Sequence, residues 1–147
     1  DYQGIYIFSE KIKRDKNRVN IDTLQPEDTD APAITGGYLL SIDKSNPGSA
    51  DWIANASVWY LDPDYYEITS SARAPQLSYI RNYFSAFWTA LNSSTWRDPQ
   101  VGYAAYIDMP SWIDYHLNNT FVFNVDMLRI SAYFYKPRGG KIVQGPL

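Results

Sequence analysis

The sequence contains no cysteine and a single histidine, His116. Without cysteine the chain can form no disulfide, zinc ribbon, iron–sulfur site or thiol nucleophile. With one imidazole it cannot build the sites of two or three histidines that bind zinc or non-haem iron. We therefore expect His116 to be a structural residue at the edge of a helix face. Any chemistry has to use carboxylates, hydroxyls, amides, lysine or arginine.

Long apolar runs and a strong charge of either sign are also missing. No apolar stretch approaches the roughly 18 residues that a membrane-spanning helix needs, so we expect no membrane span. The net charge of −3 offers no basic face for nucleic acid. The basic residues between Lys11 and Arg18, and the acidic cluster at 27–30, are interpreted as a solvated turn followed by a charged loop.

What the chain does have is the length of one domain and many aromatic rings. Its 147 residues include 13 tyrosines and 5 tryptophans. A chain of this length can bury a core without covalent links. Much of that core must carry hydroxyl or indole groups that need hydrogen-bond partners.

The first half of the chain is predicted to be a β-rich portion. Residues rich in β-branched and aromatic types predict strands over 4–12, 38–43 and 58–61. On the first of these, Glu10 is the polar position of an otherwise apolar face. The polar, proline-containing segment 13–36 predicts a long excursion between the first two strands.

Two helices follow. After Ala74 the apolar period changes from two to about 3.6, which predicts an amphipathic helix over 75–93 with Pro75 in its first turn. Asp108, followed by Pro110, predicts the N-cap of a second helix. The predicted buried stripes are Leu77, Ile80, Phe84, Trp88 and Leu91 on the first helix, and Met109, Trp112, Ile113, Leu117 and Phe121 on the second.

Polar groups alternate in 124–131, directly before a predicted hairpin with strands 132–135 and 141–143. Asp126 and Ser131 have the spacing of the catalytic aspartate and the metal-binding residue of a protein kinase catalytic loop. Phosphoryl transfer needs mostly positioning and charge neutralisation, for which a carboxylate is suited. A serine hydroxyl is a poorer magnesium ligand than a carboxylate or amide oxygen. The alternative is that Asn124 and Asp126 simply cap the helix end and a turn.

A series of short motifs runs in order along the chain: Gly4-Ile5-Tyr6, Gly36-Gly37-Tyr38, Ile42-Asp43-Lys44, Tyr106-Ile107-Asp108, Asn124-Val125-Asp126, Arg129-Ile130-Ser131, Tyr135-Lys136 and Gly139-Gly140-Lys141. From residue 2 to the last residue the chain thereby resembles the CotH (spore-coat protein H) kinase family, an atypical, secreted branch of the protein-kinase-like fold. The resemblance implies an α+β, partial kinase-like fold with a small β portion, two main helices and a catalytic-loop hairpin. It also implies an extracytoplasmic or cell-surface protein that transfers phosphate from ATP, with Mg²⁺, to protein hydroxyls.

The same resemblance implies roles for particular residues. Asp126 would orient the acceptor hydroxyl, Glu10 or Lys11 would lie near the nucleotide, and Arg129 and Ser131 are candidates for phosphate or metal contact. In the family, the Gly-Pro pair is followed by a Trp-Asp-Phe segment whose aspartate binds the metal, whereas this chain ends at Leu147. The strands that carry a phosphate-contacting basic residue come before its first residue. We therefore expect residues 1–147 to be the central part of a larger domain, β-rich over 1–70 and helical with the hairpin over 71–147, and inactive by themselves.

Two other functions stay open. The aromatic residues Trp52, Trp59, Tyr60, Tyr65 and Tyr66 could stack on sugar rings, which would make the protein a carbohydrate-associated binding module. The other is a kinase-like scaffold without a metal site. The acceptor protein and the oligomeric state are not predicted.

Overall fold

The computed structural model describes residues 4–5, 12–42, 52–53, 58–60, 73–127 and 131–145. This part of the chain forms one antiparallel sheet in the order β2-β3-β1-β4-β5 together with two α-helices, which confirms the predicted α+β class. The elements are β1 (Tyr38–Ile42), β2 (Trp52–Ile53), β3 (Val58–Tyr60), α1 (Ala74–Leu91), α2 (Met109–Phe121), β4 (Ala132–Lys136) and β5 (Val143–Gln144).

The central strand is β1, which pairs with β3 on one side and with β4 on the other. Leu40 lies opposite Phe134, and Tyr38 lies opposite Lys136. The pairing of β1 with β4 places the hairpin β4–β5 in the same sheet as the first half of the chain. The strands predicted over 38–43 and 58–61 are confirmed, whereas most of the strand predicted over 4–12 lies outside the described residues.

Helix α1 begins with Pro75 in its first turn, as predicted, and buries Ile80 and Phe84 against the sheet. The predicted stripe is wrong at its end, because Trp88 is 51% exposed and Leu91 is 39% exposed. Phe87, rather than Trp88, packs against the core.

Helix α2 begins at its predicted N-cap. The Asp108 carboxylate accepts a hydrogen bond from the Ser111 N–H at 3.2 Å, and the Ser111 hydroxyl donates to the Asp108 carbonyl. The face that packs on the core carries Trp112 and Tyr115. The predicted stripe is wrong at three positions, because Ile113 is 50% exposed, Leu117 is 60% exposed and Phe121 is 90% exposed. His116 is exposed. Neither α1 nor α2 has the length and apolar character needed to cross a membrane.

Aromatic rings connect the sheet to both helices. Neighbouring rings in this series lie 5.5 to 6.5 Å apart, within the range of favourable aromatic pairs. Several of their polar groups have acceptors: the Tyr83 hydroxyl donates to the Tyr106 carbonyl, and the Trp112 indole N–H donates to the Ile142 carbonyl. In order of contact the rings are Tyr38, Tyr79, Tyr83, Tyr106, Phe87, Trp112 and Phe134.

The excursion before β1 is tied to the rest of the fold by buried polar groups at the start of α1. The Arg73 guanidinium donates to the Leu24 carbonyl at 2.7 Å and to the Gln76 side-chain oxygen at 3.1 Å. The Gln76 amide in turn donates to the carbonyls of Gln25 and Asp28. Three of these bonds give a donor to a backbone carbonyl of the excursion, and the fourth pairs the buried side chains of Arg73 and Gln76.

The hairpin β4–β5 also binds the excursion, at Thr35 and at Asp28. Lys136, which is 2% exposed, donates from its ammonium group to the carbonyls of Thr35 and Gly140, at 2.6 and 2.7 Å. The same group lies 4.5 Å from the ring centre of Tyr83, and burial lowers the pKa of Lys136 to about 8. Arg138 forms an ion pair with Asp28 at 2.8 Å. One member of the predicted acidic loop is therefore bound to the hairpin rather than solvated.

Candidate active site

The candidate site lies where the chain leaves α2. The Phe123 N–H donates to the Thr120 carbonyl at 3.1 Å, and the Asn124 N–H donates to the Asn119 carbonyl at 2.9 Å. These two bonds form a Schellman motif, in which the residue at the position of Phe123 adopts a left-handed backbone and is usually glycine. Phe123 has φ of +55° and is 84% exposed, so burial of its ring does not compensate for the unfavourable backbone conformation.

Replacing Phe123 with glycine should therefore stabilise the protein. We expect the free energy of unfolding to rise by about 1 kcal/mol, because glycine adopts the left-handed conformation without a steric penalty. Urea denaturation followed by tryptophan fluorescence measures this change. Phe123→Ala is the matched control, since it removes the ring and keeps Cβ; an equal gain in both variants would contradict the backbone explanation.

Beyond the helix end, side chains hold the loop that carries Asp126. The Asn124 side-chain oxygen accepts a hydrogen bond from the Asp126 N–H at 3.1 Å. The Asn124 side-chain amide donates to the Asn119 side-chain oxygen at 2.6 Å. On the other side of Asp126, the Tyr115 hydroxyl donates to the Met127 carbonyl at 3.3 Å. The backbone around Asp126 is thus bound to α2, while Asp126 itself is exposed to solvent.

The structure places two of the five predicted site residues. Asp126 lies in the loop after α2, and Ser131 lies exposed at the start of the hairpin with φ of +56°. Glu10, Lys11 and Arg129 lie outside the described residues, and their roles stay predictions. The side chains of the aromatic cluster that could bind sugar also lie outside the described part of the chain.

A magnesium ion at this site would need most of its ligands from phosphates and water. Within the described ranges, no group of three or more histidine, cysteine, aspartate or glutamate residues could hold a metal ion. Mg²⁺ commonly takes one or two protein oxygens and fills its other positions with phosphates and water. The carboxylate of Asp126 and the hydroxyl of Ser131 are oxygens of this kind, and their binding of a magnesium ion stays a prediction.

A comparison with protein-family models finds one that covers nearly the whole chain. The family model described as CotH kinase protein matches residues 1–146. The chain belongs to the CotH kinase protein family. No curated protein and no solved structure matches it. Membership confirms the resemblance predicted from the motifs and supports a kinase-like function for this CotH kinase protein.

Sequence reasoning offered Asn124 as a cap of the helix end or of the turn after it. It missed Asn119 and Tyr115, which help to hold the Asp126 loop. Asn119 and Asn124 are five positions apart across the end of α2, and Tyr115 lies one helical turn before Asn119. A sequence signal for this arrangement exists, since asparagines are frequent in helix-end turns and bind neighbouring backbone groups. Only the path of the chain after Phe123 brings the two asparagine side chains together.

Proposed function

We propose that this CotH kinase protein transfers the γ-phosphate of ATP to a hydroxyl group of a protein, with Asp126 as the group that orients the attacking hydroxyl. Membership of the kinase family supports the reaction class. The observation that carries the role of Asp126 is its exposed position in a loop bound to α2 on both sides, by Asn124 and by Tyr115. A substrate hydroxyl can reach a carboxylate so placed.

In the proposed step, the acceptor oxygen attacks the γ-phosphorus while the bond from that phosphorus to the β–γ bridging oxygen breaks. The products are a phosphate ester and ADP, and the hydroxyl proton passes to the Asp126 carboxylate. The protein contributes chiefly by positioning, since phosphoryl transfer needs little covalent assistance. A bound magnesium ion would neutralise part of the negative charge on the phosphates.

The other predicted residues have places in the same proposal. Ser131 is the candidate oxygen ligand of the magnesium ion, and Arg129 is a candidate phosphate contact. Glu10 and Lys11 are assigned to the neighbourhood of the nucleotide. We also place the protein outside the cytoplasm or at the cell surface, as family resemblance implies.

The proposed activity can be tested directly on the full-length protein. Incubation with Mg²⁺ and ATP labelled at the γ-phosphate should transfer label to the protein itself or to a mixture of serine, threonine and tyrosine peptides. Removal of magnesium with EDTA should abolish the transfer. Label no greater than that of the heat-denatured protein would overturn the proposal. If such a preparation bound polysaccharide, the carbohydrate-associated module would take its place.

A further inference from the structure

Three side-chain hydrogen bonds run in one direction from the candidate catalytic residue to the body of α2. The Asp126 N–H donates to the Asn124 side-chain oxygen at 3.1 Å. The Asn124 amide nitrogen donates to the Asn119 side-chain oxygen at 2.6 Å. The Asn119 amide nitrogen donates to the Tyr115 carbonyl at 2.9 Å. Each asparagine thus receives a hydrogen bond at its oxygen and donates one from its nitrogen.

This direction is set by chemistry. A backbone N–H can only donate, so the atom of Asn124 that faces Asp126 must be the oxygen. The nitrogen of Asn124 then faces Asn119 and requires an acceptor there, which is the Asn119 oxygen. Turning the Asn124 amide over would place two donors together at Asp126 and two acceptors together at Asn119. The position of Asp126 relative to α2 therefore depends on an acceptor at residue 124.

A second connection acts on the opposite side of Asp126. The Tyr115 hydroxyl donates to the Met127 carbonyl, and Tyr115 is 7% exposed and belongs to the core. Tyr115 therefore takes part in both connections. Its carbonyl accepts the hydrogen bond from Asn119, and its hydroxyl donates to the Met127 carbonyl. The exposed Asp126 is consequently the free centre of a loop whose two flanks are both fixed to one residue of the core.

We propose that Asn124, supported by Asn119, is a positioning residue that holds Asp126 in the geometry needed for phosphoryl transfer. This inference rests on the proposed function, because it assigns to Asn124 an effect that acts through Asp126. A displacement of about 1 Å at a reacting group can reduce a rate on the order of 100-fold, so a loop that carries such a group benefits from fixed flanks.

The test compares two substitutions of Asn124 in the full-length protein, with phosphate transfer measured as a function of ATP concentration. Asn124→Ala removes the acceptor for the Asp126 N–H, and we expect kcat to fall about 10- to 100-fold with the KM for ATP unchanged. Asn124→Asp keeps an oxygen at that position. The Asn119 side chain has to swing away from the Tyr115 carbonyl for its amide nitrogen to donate to the new carboxylate, and the helix N–H of Asn119 still satisfies that carbonyl. We expect this variant to keep kcat within about threefold of wild type, since the positioning bond remains.

Asn118→Ala is the matched control, since Asn118 is an exposed neighbour on α2, and it should leave kcat unchanged. A second measurement, hydrogen exchange of the Asp126 amide, should show faster exchange in Asn124→Ala than in wild type or Asn124→Asp. If wild type transfers phosphate and Asn124→Ala does so equally well, the positioning role is overturned and the proposed function stands. If wild type transfers none, the proposed function fails, and with it the catalytic part of the inference. Equal exchange in wild type and Asn124→Ala would overturn the structural part as well.

Discussion

The variant Asp126→Asn of the full-length protein should lose at least about 100-fold of its phosphate-transfer rate, the lower end of what a positioned acid or base contributes. Asparagine has nearly the shape of aspartate, but its amide cannot accept the proton of the attacking hydroxyl. The Asp126 side chain is exposed, so we expect its replacement to leave the folded structure intact. The measurement is transfer of labelled γ-phosphate at saturating ATP, together with a urea denaturation curve.

Asp114→Asn is the matched control for this variant. Asp114 is an exposed aspartate on α2, so its substitution makes the same change in charge. It should retain the wild-type rate. Equal rates for Asp126→Asn and the wild type would remove Asp126 from the mechanism. Equal losses in the two aspartate variants would attribute the effect to net charge rather than to the position of one carboxylate.

The second large effect is expected at Gly36, where the excursion enters β1. Gly36 has φ of −169°, an extended conformation open to any residue. Its requirement for glycine is one of space, because a Cβ there would overlap the backbone of Pro137 and Arg138 in the hairpin turn. Gly36→Ala should reduce the free energy of unfolding by about 3 kcal/mol or more, at or beyond the upper end of ordinary overpacking, since backbone atoms cannot move aside as a side chain can.

Gly139→Ala provides the contrast. Gly139 follows Pro137 and Arg138 in the hairpin turn, and its requirement for glycine comes from its backbone conformation rather than from lack of space. Its φ is +64°, and a Cβ there would meet nothing within 4 Å. We expect a loss of about 1 kcal/mol from the left-handed backbone alone. Urea denaturation of both variants measures the difference. A loss for Gly36→Ala no larger than that for Gly139→Ala would contradict the close approach of the excursion to the hairpin.

Local rules were sufficient to predict most of the secondary structure. β1, the first turn of α1 with Pro75 and the hairpin turn at 137–140 were all predicted from residue types and spacing. The Asp108 cap was predicted in the same way, because a carboxylate before a helix can bind an N–H that has no partner within the helix. Such signals act over a few residues, so no knowledge of the tertiary structure is needed to recognise them.

The burial of apolar side chains was harder to predict. Leu117 and Phe121 follow the spacing of a buried stripe, yet they lie exposed on α2. Periodicity identifies which residues share a face, but only the packing of α2 against the sheet decides which face is covered. The long-range role of Lys136 was likewise absent from the prediction, since its acceptors include the Thr35 carbonyl, 101 residues away along the chain.

For the site, residue types and short motifs were enough to predict the candidate carboxylate and a kinase-like chemistry. The absence of cysteine and the single histidine excluded thiol and multi-histidine chemistry, and the motifs around Asp126 indicated the family. Only the tertiary structure shows how the backbone on either side of that carboxylate is held. Asn119 and Asn124 meet only because the chain reverses at Phe123, and Met127 reaches Tyr115 only because the loop folds back on α2. These contacts depend on the direction of the backbone after a helix end, which is decided by packing and hydrogen bonds together rather than by the local order of residues.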